Sequence, residues 1–417
     1  MREDVSRATR QRSLGDPGID YPLWPVLTSG CPQTSTDEMQ YPLEVDYAYD
    51  AVDPALFDQP PLPGLDRWAP LLPPLAPGLA LGEGGTPLLA PPRLAGWAGC
   101  DGEVLIKDES RNPTWSHKDR LNLCTVSAAA VSGAPGVVVA SSGNHGASAA
   151  AYAAAAGLPC IVFTSPTSPA AVQQFLLSYG AAVVGVPSDA RWPLMRQVVE
   201  EFGYMPVSNL TPFHTGHPFG PEGYKTIAYE VFLQLGRRLP EAIFVPTGYA
   251  ELLYGVWKGF DELRRFGLTA EVPRLYACEP AARAPLARAL AEGAPAVAVA
   301  AEPTAAYSVA VQVNGYRGVR AIRSSEGVAI AVSDEEMIAA QAELSRNGIW
   351  VELSSAISLA GLRQRLAAGE QLNGPVVCIS TSSGFKDSQG EPATVPAVEP
   401  KWPEVRELLA TRYGLRS

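Results

Sequence analysis

From Leu105 to Ser380 the chain alternates short apolar runs with helix-length segments, and this restricts the fold more than any other feature. The runs VLIKDE, GVVVASS, PCIVFTS, AAVVGVP, YMPVSN, EAIFVPTG, RLYACEP, GVAIAVS and GPVVCIS read as strands. Between them, KDRLNLCTVSAAAVSG closes on Gly133 and GASAAAYAAAAG closes on Gly157. SPAAVQQFLLSYG, DARWPLMRQVVEEFG, GYKTIAYEVFLQLG, ELLYGVWKGFDELRRFG, DEEMIAAQAELSRNG and SSAISLAGLRQRLAAG have the same helical character. Short apolar strands separated by helices form parallel sheets covered on both faces, so the expected class is α/β. At 417 residues the chain is too long for one simple core and suits two domains plus extensions. Ligands of such sheets sit beyond the carboxyl ends of strands. Three polar loops fall there: SSGNHG (141–146), TGYAE (247–251) and TSSGFKD (381–387).

Residues 1–85 are rich in Pro, Asp, Tyr and Leu and show little periodicity; PLWPVL and YPLEVDYAYD read as short strands in an irregular covering arm. The start MREDVSRATRQRSLG lacks an apolar core and is not a secretory signal. The alanine-rich stretches are broken by Glu, Pro, Gly and Tyr, so no membrane span is expected. The net charge of −11 repels phosphate backbones and argues against nucleic acid. Cys31, Cys100, Cys124, Cys160, Cys278 and Cys378 form no CxxC pair and fit no zinc module, so no metal is expected and a reduced, cytoplasmic protein is.

Chemistry concentrates in four segments. KDESRNPTWSHKDR (107–120) leaves a strand through Asn-Pro and enters a helix at Lys118. A lysine at a helix start is ordinarily a solvated charge. SSGNHG places N–H groups at a helix N-terminus, which favours anions; Ser and Asn are also ordinary caps there. VPTGYAELLYGVWKGF (245–260) is a glycine-containing turn between strand and helix, and STSSGFKD (380–387) is a polar loop after a buried strand.

The run NPTWSHKDR resembles the cofactor-lysine motif of fold-type-II pyridoxal-phosphate (PLP) enzymes, threonine synthases above all. YPLEVDYAYD, EGYKTIAYE and GIWVELSSAISLAGL resemble segments of the same family, so the resemblance covers most of residues 40–390. It implies a two-domain fold like the tryptophan synthase β subunit. The smaller domain spans about 125–220, the larger about 86–124 with 221–400, and 401–417 is a tail. It also implies a homodimer and a small amino-acid substrate.

The resemblance makes Lys118 the residue that holds PLP as a Schiff base, with Lys118 or Glu109 moving protons. Asn144 would face the ring hydroxyl and Thr381 the ring nitrogen. Thr247, Gly248, Tyr249, Ala250 and Glu251 would form the phosphate cup. Lys107, Thr114, Trp115, Ser116, Ser141, Ser142, Gly143 and His145 would surround the substrate. His117 stands where threonine synthases generally have Phe; the tryptophan synthase β subunit has a phosphate-contacting His there, so His117 is expected to donate to the PLP phosphate.

Three departures concern substrate and cup. Trp115 stands where a small residue, normally Gly, is expected, and Glu251 where a glycine is. HTGHPFGPEGYKT puts Gly220 where an Arg commonly helps hold the phosphate of O-phosphohomoserine, with His214 and His217 nearby. Losing a bidentate clamp is not conservative. The readings that follow are a threonine-synthase-like lyase, a β-replacement or β-elimination enzyme on a serine, phosphoserine or threonine type substrate, and a non-catalytic scaffold.

Overall fold

The computed structural model describes residues 5–60, 62–386 and 395–415. Asp387, the last residue of STSSGFKD, lies outside them, as do the first four and last two residues of the arm and tail. The described residues up to 386 form one compact body, and those from 395 onward form a separate unit.

The arm is more ordered than its composition implies. Strands β1 (Ala8–Ser13), β2 (Asp20–Pro22) and β3 (Leu43–Tyr47) make an antiparallel sheet in the order β2-β1-β3. β1 is polar and pairs partly through charge: Arg10 meets Asp46 at 2.9 Å and Arg12 meets Glu44 at 2.8 Å. YPLEVDYAYD contains β3, as expected. PLWPVL is not a strand beyond Pro22, because two prolines remove ladder donors. Its carbonyls at Pro22 and Pro25 instead accept from the buried Gln11 amide, each at 2.9 Å.

The body then runs through β4 (Leu88–Leu89), α1 (Leu94–Ala98), β5 (Val104–Asp108) and α2 (Lys118–Ser132). β6 (Val137–Ala140), α3 (Asn144–Ala155), β7 (Cys160–Thr164), α4 (Ala170–Ser178), β8 (Ala182–Gly185), α5 (Arg191–Phe202) and β9 (Met205–Pro206) follow. These four strands form a parallel sheet in the order β8-β7-β6-β9. Next come α6 (Gly220–Gln234), β10 (Ala242–Pro246), α7 (Glu251–Arg265), β11 (Arg274–Pro280), α8 (Pro285–Glu292) and α9 (Tyr316–Ser324). β12 (Val328–Val332), α10 (Asp334–Arg346), α11 (Leu353–Ala367) and β13 (Val376–Ser380) complete the body. The larger sheet has the order β12-β11-β10-β13-β5-β4 and is parallel except for the edge strand β4. In the separate unit, α12 (Trp402–Tyr413) is a helix.

Side-chain alternation explains why the large sheet is covered on both faces. Ile243, Val245, Leu275, Val377 and Ile379 enter one core, while Phe244, Tyr276, Cys278, Val376 and Cys378 enter another. Each fully buried aliphatic side chain is worth roughly 1.5–3 kcal/mol, so both faces stabilise the strands. All six cysteines are free and buried. Helices α2 and α6 pack so closely that a Cβ at Gly223 would collide with the Arg120 carbonyl. Among the described residues no helix is long and apolar enough to cross a membrane, and no group of three or more His, Cys, Asp or Glu is placed to hold a metal.

This topology brings the ends of β5, β10 and β13, neighbours in one sheet, and the end of β6 to the loops singled out by sequence.

Candidate active site

The Lys118 loop is shaped by Asp119. Its buried carboxylate accepts from the Thr114 N–H at 2.7 Å, the Thr114 hydroxyl at 2.6 Å and the Ser148 hydroxyl on α3 at 2.6 Å. Burial nevertheless pushes Asp119 up to about 6. The tightened loop sets Lys118 as the first residue of α2 and forces Trp115 into the left-handed region, at φ 62°. A glycine adopts that conformation freely; a non-glycine residue there costs about 1–2 kcal/mol. The loop is stitched to the one after β13: Ser116 bridges to Ser382, and the His117 N–H donates to the Thr381 carbonyl at 2.9 Å.

Lys118 is half-buried, its amine 5.5 Å from the centre of the Tyr224 ring. Burial lowers its pKa, opposed by the charges of Glu251 and then Glu352. A lysine so placed reaches its neutral, nucleophilic form more readily.

Around it, Asn144 and Thr381 meet Glu352, a buried residue of the segment GIWVELSSAISLAGL to which sequence alone assigns no role. The Asn144 amide donates to Glu352 at 3.0 and 3.2 Å and accepts from the Ser382 hydroxyl at 3.2 Å. The Thr381 and Ser355 hydroxyls are 2.7 Å apart. His145 is held neutral: burial, then the charge of Lys118, lowers it to about 3.

Lys386 is the other residue without a role from sequence, although it lies inside STSSGFKD. It is fully buried, and its amine has no hydrogen-bond partner. Phe175 faces that amine at 5.0 Å. Burial lowers Lys386 to about 8, with the charges of Asp119 and Glu352 opposing. Lys118 and Lys386 both act electrostatically on Glu352 and His117, so the two amines share one neighbourhood. Trp115, Phe175 and Phe385 form an aromatic rim beside it, with ring centres 5.4 and 5.7 Å from Trp115.

At the turn after β10, Ala250 takes the left-handed conformation, at φ 65°, that opens α7. The Thr247 hydroxyl donates to the Val245 carbonyl at 2.8 Å, and Tyr249 stacks on His214 at 4.1 Å. The buried Glu251 carboxylate rests where a Cβ at Gly216 would collide with it, 3.9 Å from His214 Nε2. Burial raises its pKa, opposed by Lys118 and then by Arg317 of α9. Arg317 donates to the carbonyls of Thr215 and Leu43, and its Nε–H has no acceptor.

Several expected roles need correction. Glu109 lies just after β5 in a short 3-10 turn, fully buried, and both of its oxygens are taken. One accepts from Thr86 (2.6 Å) and Arg120 (2.8 Å), the other from Arg120 (2.7 Å) and Asn112 (2.9 Å). Arg120 also pairs with Glu230 at 2.6 Å, and Glu230 with Lys107 at 2.7 Å. Lys107 spends its remaining donors on the Thr86 carbonyl and Gln234. A strand residue's face is not legible without its partner strands, and here the ion pairs turn both side chains into structure instead of chemistry. His117 is fixed through one ring nitrogen. Its Nδ1 lies 3.1 Å from the Thr381 carbonyl, so Nδ1 carries the proton and Nε2 is an acceptor. Burial, then the charge of Lys118, holds the ring well below its usual pKa. The Ser142 oxygen accepts from the Ser165 N–H at 2.9 Å and from Arg191 at 2.8 Å, which binds it to its own sheet's loops. Thr114 is spent on Asp119. Ser141 accepts from the Gly143 N–H at 3.3 Å within the β6–α3 turn. Gly220 packs 3.1 Å, as a Cβ, from Leu121, so no clamp fits there without displacing it.

The residues present fit PLP. Lys118 supplies a depressed amine and Thr381 a hydroxyl. The buried Ser116 Oγ, His145 Nε2, Tyr224 OH and Lys386 Nζ lack protein partners, as a polar ligand's surroundings require. Where the phosphate is expected, the Arg317 guanidinium acts electrostatically on Glu251 and offers positive charge.

Comparison with known proteins agrees. The family model described as "pyridoxal-phosphate dependent enzyme" matches residues 79–382. The threonine synthase of Methanosarcina acetivorans is 34% identical over 336 residues, spanning 78% of this chain and 81% of that protein. That of Mycobacterium tuberculosis H37Rv is 34% identical over 348 residues, spanning 81% and 90%. Among solved structures, the threonine deaminase of T.th. aligns with a TM-score of 0.59 at 26% identity, covering 75% of this chain and 94% of that one. A fungal L-serine ammonia-lyase from Rhizomucor miehei aligns with a TM-score of 0.63 at 22% identity, covering 72% and 94%, which shows the shared fold.

Proposed function

Because the chain belongs to the pyridoxal-phosphate-dependent enzyme family and is a PLP-dependent carbon–oxygen lyase of the threonine synthase type, we propose that its substrate is a small amino acid with an oxyanion leaving group at Cβ or Cγ, O-phosphohomoserine or an analogue. The observation that carries this reading is Lys386. A fully buried ammonium without a hydrogen-bond partner costs several kcal/mol, only partly relieved by the more distant charges of Asp119 and Glu352, and an anionic substrate group arriving beside it offsets that cost. Lys386 thereby supplies the charge that Gly220 does not.

In this reading the cofactor, when bound, delocalises the charge that develops at Cα. Lys118 holds it and afterwards removes the α-proton. Thr381 faces the ring nitrogen and Asn144 the ring hydroxyl. The α3 N-terminus with Ser141 and Gly143 receives the substrate carboxylate, and Trp115 walls the side-chain end. A smaller domain over about 125–220 and a larger one over about 86–124 and 221–400 flank the cleft, and the protein is a homodimer; sedimentation velocity of the purified protein tests the dimer.

The test is phosphate release from O-phosphohomoserine and O-phosphoserine, compared with 2-oxo acid formation from serine and threonine. Lys386→Met is expected to cut phosphate release at least 100-fold, mainly through KM, with the visible band of the Lys118-bound cofactor unchanged. A second reading, β-elimination or β-replacement on a serine or threonine type substrate, is favoured by Gly220 and the aromatic rim. Rapid 2-oxo acid formation that is insensitive to Lys386→Met would establish it and refute the first.

A further inference from the structure

Away from the active site, an acidic chain of net charge −11 gathers four arginines in one groove. Arg12, Arg264, Arg265 and Arg320 line it, together with Trp257, where β1 meets α7 and α9, and its volume is about 490 Å³. Glu44 and Asp261 are the carboxylates of the lining. Each already has its arginine: Arg12 holds Glu44 at 2.8 Å, and Arg264 holds Asp261 at 2.6 Å.

That leaves two guanidiniums without a carboxylate among the described residues. Arg265 lies over the Tyr49 ring at 4.2 Å and Arg320 over the Trp257 ring at 5.9 Å, and both are exposed. Trp257 is itself only 8% exposed, yet its indole N–H has no acceptor. An indole nitrogen can only donate, and so can a guanidinium. The groove therefore presents an excess of donors and two unneutralised positive charges around a space of ligand size.

We propose that this groove is a second binding site, for a small organic phosphate. Forked guanidiniums match the paired oxygens of a phosphate dianion, whose charge equals the groove's excess. The Trp257 ring forms the buried wall of the groove beside Arg320. Arg317 lies one helical turn before Arg320 on α9 and reaches toward Glu251 at the cofactor end. A ligand in the groove thus bears on the helix that backs the cup.

The experiment is calorimetric titration of the cofactor-loaded protein, so that the cup is already filled. The probes are glycerol 3-phosphate and inorganic pyrophosphate, with citrate as a phosphorus-free polyanion. One saturable site per chain is expected for both phosphates. Affinity should fall at least 30-fold in Arg265→Ala/Arg320→Ala, and the visible cofactor band should match wild type in that variant. Absence of saturable binding, or binding unchanged in the double variant, overturns the site. Citrate binding as tightly as the phosphates overturns the ligand class.

Discussion

Glu109 separates a structural reading of the site from a catalytic one, because Glu109→Gln tests both at once. The carboxylate sits in a buried cluster of two cations, Lys107 and Arg120, and two anions, Glu109 and Glu230, whose charges balance. The substitution leaves one positive charge uncompensated. It also places an amide N–H₂ against donors: four hydrogen bonds end on the carboxylate, and a glutamine oxygen satisfies about half of them. Breaking a buried pair from one side costs about 3–5 kcal/mol. With an unfolding entropy of about 2.1 cal/mol/K per residue, 417 residues give about 0.9 kcal/mol/K, so Tm should fall by roughly 4–5 °C. Urea unfolding and calorimetry of the holoenzyme measure this. Turnover per folded molecule should stay within about threefold of wild type, because Glu109 does not reach the reacting atoms. A loss of kcat beyond 100-fold with a stability change under about 1 kcal/mol would refute the reasoning and return Glu109 to catalysis.

Three other outcomes are expected. Lys118→Ala should abolish the visible band of the lysine-bound cofactor, on the order of 410–430 nm, and all turnover, while circular dichroism stays that of wild type. Glu279 on β11 is buried and raised to about 7 by that burial, although the N–H groups of Leu286 and Ala287 bond it. Because the folded protein holds this proton more tightly than the unfolded chain, its stabilising contribution is complete below about pH 4.5 and is lost as pH rises through about 7, a span worth about 3 kcal/mol. The wild-type minus Glu279→Gln difference in urea stability should follow that curve, and a difference flat between pH 5 and 8 contradicts it. Gly223→Ala should destabilise by more than about 3 kcal/mol, since its methyl meets the Arg120 backbone and α2 cannot retreat without moving Lys118; soluble expression with a wild-type melting curve would contradict it.

The alternation of apolar runs made the sheet strands from β5 onward legible, because strands buried on both faces need little tertiary information to identify. β1 was not, because ATRQRS is polar and its pairing depends on Asp46 and Glu44, more than thirty residues away. α8 and α9, the latter carrying Arg317, were not legible either in the long segment between β11 and β12. At the site, residue identity was legible but orientation was not. Lys107 and Glu109 lie in the right motif, yet Arg120 and Glu230 claim them, and Glu230 comes from α6, a contact no local pattern records. Lys386 sits inside a recognisable motif, but only burial distinguishes it from a surface lysine, and burial is a property of the folded chain.

Strain sharpens the reading of the site. Four non-glycine residues adopt positive φ among the described residues: Trp115, Arg237, Ala250 and Glu326. Arg237 and Glu326 are ordinary turn residues; the other two stand at the loops that lead into α2 and α7. Ala250 is a small residue and tolerates the position. Trp115 is the bulky exception, and the residue is 42% exposed, so burial does not offset the backbone cost. What offsets it is contact with Phe175 and Phe385, about 0.5–1.5 kcal/mol for each aromatic pair, which is of the same size as the strain. The two terms nearly cancel in stability, so a glycine there would fold as well. Under the proposed function, the indole's effect is then expected in the substrate, whose side chain it would screen from water.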